Sequence, residues 1–126
     1  MIRYIESVTS PGVSDPKNED RVYFNNESIG VIDGATGLGD KNYLSSKYSD
    51  AEYLAECARL FFSTNLNKNT NTKNIIEQFI LSFTNKNKEK FGDVPESKRY
   101  LFPTAGFVSA TIKASFLEIC SLGDCR

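Results

Sequence analysis

The chemistry available to this sequence depends on a small set of oxygen ligands. Two acids begin one short strand pattern, and a third ends the next apolar run and precedes a glycine whose carbonyl a ligand can approach. Carboxylate and carbonyl oxygens are the ligands that Mg²⁺, Mn²⁺ and Ca²⁺ prefer in proteins. The candidate residues are Glu19, Asp20, Asp33, Gly34, Asp40 and Asp124.

Histidine is absent from all 126 residues of the chain. Its absence excludes serine–histidine and cysteine–histidine catalysis within this chain. It also excludes any zinc site that needs imidazole. Metal chemistry in this sequence must therefore use oxygen ligands.

A predicted β-hairpin brings the first acids together. Its strands cover residues 19–24 and 28–33, on either side of an asparagine-rich turn. A three-residue loop would place Glu19 opposite Asp33 on one face, where two carboxylates repel unless a cation lies between them. A two-residue loop would lose that pairing but would still gather the acids at one end. The alternative interpretation is that Glu19, Asp20 and Asp33 are solvated residues at strand ends.

The remaining elements follow from apolar periodicity and capping signals. Ser49 and Glu52 fit a capping box, and Gly92 ends a second helix that is rich in lysine near its end. Because the strands and helices are segregated, the order predicts an α+β fold with antiparallel sheet. In chain order the further elements are a strand over 1–8, helices over 49–64 and 74–91, and strands over 106–113 and 116–122.

Composition and charge limit the classes of partner that this chain is expected to bind. Fifteen basic and sixteen acidic residues give a net charge of −1, and 40% of the residues are hydrophobic. A globular domain without a basic surface is not expected to bind nucleic acid or a membrane surface. The three cysteines form no disulfide framework, and Glu6 interrupts any signal-peptide core, so we expect a cytoplasmic protein.

Two other motifs have a spacing that resembles a catalytic or binding signature. Cys120 and Arg126 have the C-x5-R spacing of cysteine-dependent phosphatases, but no helix follows the cysteine, so a structural cysteine within a strand is the better interpretation. The glycines at 34, 37 and 39 do not have the spacing of a nucleotide-binding fingerprint.

Four motifs in order resemble the metal-dependent protein serine/threonine phosphatases of the 2C type, most of all the bacterial branch. This resemblance implies two antiparallel sheets packed face to face with flanking helices, an αββα sandwich. Residues 1–126 would form the N-terminal portion of a single such domain. The motifs are Asn18-Glu19-Asp20-Arg21, Ile29-Gly30-Val31-Ile32-Asp33-Gly34, Thr104-Ala105-Gly106 and Ser121-Leu122-Gly123-Asp124-Cys125-Arg126.

The resemblance also implies roles for individual residues. Asp33 would bridge two Mn²⁺ or Mg²⁺ ions, the Gly34 carbonyl would contact one of them, and Glu19 would serve the second, partly through water. Asp124 would bind a third, weaker ion, and Asp20 would have a supporting role. The implied activity is hydrolysis of phosphoserine and phosphothreonine in protein substrates by a metal-activated water.

The sequence departs from the family pattern in three places. Asp15 replaces a basic residue that many members use to hold phosphate, so Lys17 or Arg21 would have to substitute for it. Ala35 replaces a histidine that some relatives use as a proton donor. The family's later aspartates would lie beyond Arg126, so we expect an exposed sheet edge, an uncovered apolar face and no activity from this chain alone. A non-catalytic interaction or regulatory module is the alternative.

Overall fold

The computed structural model describes residues 2, 4–11, 17–37, 42–92 and 96–123. These residues confirm the α+β class, with one antiparallel sheet and two helices. The elements are β1 (Asp20–Phe24), β2 (Ser28–Ala35), α1 (Asp50–Asn65), α2 (Thr72–Phe91), a 3₁₀ segment (Glu96–Leu101), β3 (Thr104–Ile112) and β4 (Leu117–Leu122).

The sheet has the order β1-β2-β3-β4, and each strand is antiparallel to its neighbours. The β1–β2 turn has two central residues, because the Asn25 amide N–H donates to the Ser28 carbonyl at 2.9 Å. The Asn25 side chain fixes this turn by accepting from the backbone N–H groups of residues 27 and 28. Of the two loop lengths considered, the two-residue loop is therefore the one that forms, and it places Asp20, not Glu19, opposite Asp33.

The helix ends follow the capping rules. Ser49 and Glu52 form the predicted capping box at the start of α1. The Asn71 side chain caps α2, so this helix begins at Thr72, two residues before the predicted start at residue 74. Gly92 ends α2 with a φ of 56°, a backbone conformation that favours glycine.

Both helices lie on one side of the sheet, where an aromatic cluster forms the core. Helix α1 packs on β1 and β2, and α2 packs on α1. The Phe62 ring lies between Tyr23, Phe79 and Phe107, at centroid distances of 5.9, 5.2 and 4.7 Å. A cavity of about 510 Å³ extends from this cluster between the helices and the sheet as far as Leu122.

The opposite side of the sheet is apolar and exposed. Val31 is 41% exposed and Ile119 is 70% exposed, and Phe24 shares this face. The described part of the chain contains a single sheet, so it supplies none of the second sheet that the 2C-type resemblance implies. The expectation of an uncovered apolar face is confirmed for these residues.

The N-terminal segment is not a regular strand. Residues 2 and 4–10 have no assigned secondary structure, although residues 1–8 were predicted to form a strand. The Ile2 N–H donates to the Asn26 carbonyl, but no continuous ladder forms beside it within the described ranges. Alternating residue types were therefore insufficient to predict a strand here. No helix in the described residues has both the length and the apolar character that a bilayer span requires.

Candidate functional site

A pair of carboxylates stands at the end of the β1–β2 hairpin. Asp20 and Asp33 are direct cross-strand partners, and both lie on the exposed side of the sheet. Partial burial raises the pKa of Asp20. A hydrogen bond with Asp33 and the negative charges of Asp33 and Glu19 raise this pKa further, while Arg21 opposes the shift. The negative charges of Asp33 and Glu19 thus disfavour the ionised form of Asp20, and a cation beside it would favour that form.

The raised pKa predicts how Asp20 affects stability. The unfolded Asp20 loses its proton near pH 4, below its folded pKa, so the folded state binds more protons in that interval. The contribution of Asp20 to folding is thus most favourable below pH 4 and falls as pH rises through the folded pKa. In metal-free buffer Asp20→Asn should raise the urea midpoint at pH 7, and the gain should vanish near pH 3. A midpoint that Asp20→Asn lowers at pH 7 would contradict this prediction.

Glu19 has different surroundings, at the N-terminus of α1. Its carboxylate accepts a hydrogen bond from the Ser49 hydroxyl at 2.7 Å and another from the Thr36 hydroxyl. The Thr36 backbone N–H donates to its second oxygen at 3.4 Å. Glu19 is therefore tied to the segment after β2 and to the start of α1, whereas Asp33 lies beside Asp20.

Gly34 allows close packing at this end of the sheet. Its N–H donates to the Glu19 carbonyl at 3.3 Å, which extends the hairpin ladder by one residue. A Cβ on Gly34 would lie 2.7 Å from that carbonyl oxygen and 3.1 Å from the Ala51 carbonyl oxygen. Only glycine therefore fits between β1 and α1 at this position.

Gly34→Ala should lower the free energy of unfolding by about 2 kcal/mol, since an added methyl in a tight contact forces backbone shifts. Urea unfolding of the metal-free chain measures this loss. Ala35→Gly is a suitable comparison, because residue 35 is exposed and follows Gly34 on the same strand. A midpoint for Gly34→Ala equal to that of the wild type would show that the contact is not tight.

Arg21 holds the backbone of the acidic segment. Its guanidinium pairs with Glu56 of α1 at 3.1 Å and donates to the carbonyls of Asn18 and Asp20 at 2.6 and 2.8 Å. Arg59 and Arg21 together keep the pKa of Glu56 below its usual range. With these partners Arg21 does not fit the phosphate-holding role considered for it.

Several sequence candidates lie outside the described residues. Asp124, proposed to bind a third ion, is among them, as are Asp15, Asp40 and Arg126. Within the described ranges no three acidic or cysteine side chains group closely enough to hold a metal ion. The two donors that are brought together, Asp20 and Asp33, have the oxygen-ligand chemistry that a hard divalent cation prefers.

Cys120 has the environment of a structural cysteine. It lies within β4, packed against the aromatic cluster, and burial raises the pKa of its thiol. A reactive cysteine needs surroundings that lower this pKa. The geometry therefore favours the interpretation of Cys120 as a packing residue.

Sequence reasoning missed Thr36 and the second role of Ser49. Ser49 was recognised as a helix cap, but its bond to Glu19 spans 30 positions and has no local signal. Thr36 lies just beyond β2 and belongs to no recognised motif. The packing of α1 against the hairpin creates the Ser49 contact, and the path of the chain after β2 creates the Thr36 contacts.

Comparisons with known proteins identify one structural similarity. No protein-family model matches the chain, and no curated protein matches its sequence. The fold is similar to the crystal structure of the Mycobacterium tuberculosis serine/threonine phosphatase PstP/Ppp, with a TM-score of 0.55 and 11% sequence identity. The similarity covers 94% of this chain and 45% of that chain, so this chain spans less than half the length of the phosphatase. The α+β architecture is thus that of part of a serine/threonine phosphatase fold.

Proposed function

We propose that this chain forms part of a metal-dependent phosphatase of the 2C type that acts on phosphoserine and phosphothreonine in proteins. The observation that carries the proposal is the cross-strand carboxylate pair, Asp20 and Asp33, at the end of a hairpin in a fold shared with a serine/threonine phosphatase. Two carboxylates in this arrangement repel each other until a cation neutralises them.

The residues proposed to hold two Mn²⁺ or Mg²⁺ ions are Asp33, the Gly34 carbonyl, Glu19 and Asp124. The geometry adds Asp20 as the carboxylate nearest in register to Asp33. When bound, the two ions would lower the pKa of water and neutralise phosphate charge. Asp33 and Glu19 would hold the ions, while Arg21 keeps the Asn18 and Asp20 carbonyls in place.

A non-catalytic interaction module is the second candidate. It is favoured by the absence of a three-acid cluster from the described residues. The exposed apolar sheet face would serve such a module as a contact surface.

Titration of Mn²⁺ into the metal-free chain distinguishes the two candidates. Isothermal calorimetry at pH 7 should show saturable Mn²⁺ binding, and Mn²⁺ should raise the thermal unfolding midpoint, because a ligand of the native state stabilises it. Hydrolysis of an aryl phosphate with and without Mn²⁺ then tests the expectation that this chain alone binds the metal without being active. Absence of Mn²⁺ binding would contradict the phosphatase proposal and favour the interaction module.

A further inference from the structure

The Glu19 carboxylate is held more firmly than an acid at a strand end requires. The hydroxyls of Ser49 and Thr36 donate to one of its oxygens, and the Thr36 N–H lies 3.4 Å from the other. Fixing a glutamate side chain costs conformational entropy, which these hydrogen bonds offset. The carboxylate is consequently fixed relative to β2 and to α1 together.

Ser49 performs two tasks with one hydroxyl. Its oxygen accepts the Glu52 N–H at 3.1 Å, which caps α1, while its proton is donated to Glu19. A serine hydroxyl can do both because it is donor and acceptor at once. Ser49 is 1% exposed, so water does not compete readily for these bonds. An aspartate would cap the helix equally well but would repel Glu19.

We propose that Ser49 and Thr36 are positioning residues, whose hydroxyls orient the Glu19 carboxylate at the metal-binding end of the hairpin. This inference rests on the proposed function, since it assigns these residues an effect on metal affinity. They act through Glu19 and do not contact the ion. The start of α1 thereby sets the geometry of an acid that lies 30 residues earlier in the chain.

The test separates positioning from helix capping. The double variant Ser49→Gly with Thr36→Val removes both hydroxyls but keeps a residue that caps well and a side chain of similar shape. The conservative double variant, Ser49→Thr with Thr36→Ser, keeps both donors. Glu52→Ala is the matched control, because it removes the other half of the capping box without touching Glu19. Mn²⁺ affinity by calorimetry and urea midpoints without metal are measured for all of them.

The double variant should bind Mn²⁺ about tenfold more weakly, a usual cost of losing a partner that orients a ligand. The conservative variant should stay within about twofold of the wild type. Glu52→Ala should lower the urea midpoint and leave the Mn²⁺ affinity unchanged. Unchanged affinity in the double variant, or an equal loss in Glu52→Ala, would overturn the proposal.

A wild-type chain that binds no Mn²⁺ would refute the proposed function. In that case a double-mutant cycle without metal tests whether Ser49 still positions Glu19. The cycle combines Glu19→Gln with Ser49→Gly. Additive shifts of the urea midpoint would overturn the positioning of Glu19 by Ser49. Non-additive shifts would support it, since residues that share a hydrogen bond are energetically coupled.

Discussion

Replacing Asp33 by asparagine is expected to weaken Mn²⁺ binding about 100-fold, which corresponds to roughly 2.8 kcal/mol. In the proposed site the Asp33 carboxylate would bind both ions, so its negative charge would contribute to the affinity for each. Asparagine keeps the size of the side chain and removes only the charge. Calorimetric titration at pH 7 measures the affinity, and any Mn²⁺-dependent hydrolysis of an aryl phosphate should fall with it.

Stability measurements separate this effect from unfolding. Without metal, Asp33→Asn removes the repulsion of Asp20, so the urea midpoint should stay the same or rise. Glu77→Gln on the exposed side of α2 removes an equal charge away from the hairpin and should leave Mn²⁺ affinity unaltered. Wild-type affinity in Asp33→Asn would refute the assignment of Asp33.

Phe62→Ala is expected to lower the free energy of unfolding by about 4 kcal/mol, within the usual range for a buried phenylalanine. Phe62 is 3% exposed and lies against three aromatic rings, one from α2 and two from the sheet. It also lines the 510 Å³ cavity, so its truncation enlarges an existing void. A loss of this size is a large share of the stability of a small domain.

The control is Leu60→Ala on the same helix. Leu60 is 53% exposed, so its truncation should change the free energy of unfolding by less than about 0.5 kcal/mol. Urea unfolding followed by far-ultraviolet circular dichroism compares the two variants. Equal midpoints for both would contradict the placement of Phe62 at the centre of the core.

Local signals predicted most elements of the fold. The capping box at Ser49, the apolar face of α1 and the glycine at residue 92 depend on neighbours a few positions away, and the structure confirms all three. The prediction of a strand over residues 1–8 was wrong, because alternating residue types do not supply a neighbouring strand to pair with. The start of α2 was placed too late because Asn71 caps the helix ahead of its apolar stripe.

The candidate site was less predictable, because it depends on register and long-range packing. The acids were expected to gather at one end of the hairpin, and the pKa of Asp20 reflects that proximity. The sequence left two loop lengths open, and the shorter one, which forms, places Asp20 rather than Glu19 opposite Asp33. Long-range hydrogen bonds join separate elements here, and no periodic pattern in the sequence predicts them. They connect Glu19 with Thr36 and Ser49, and Arg21 with Glu56.

The open side of the sheet has a calorimetric consequence. Val31, Ile119 and Phe24 face water there, and water around apolar groups contributes positively to heat capacity. Any polypeptide that docks on this side would displace that water. Its association would become more exothermic on warming, with a negative heat-capacity change proportional to the apolar area that it covers.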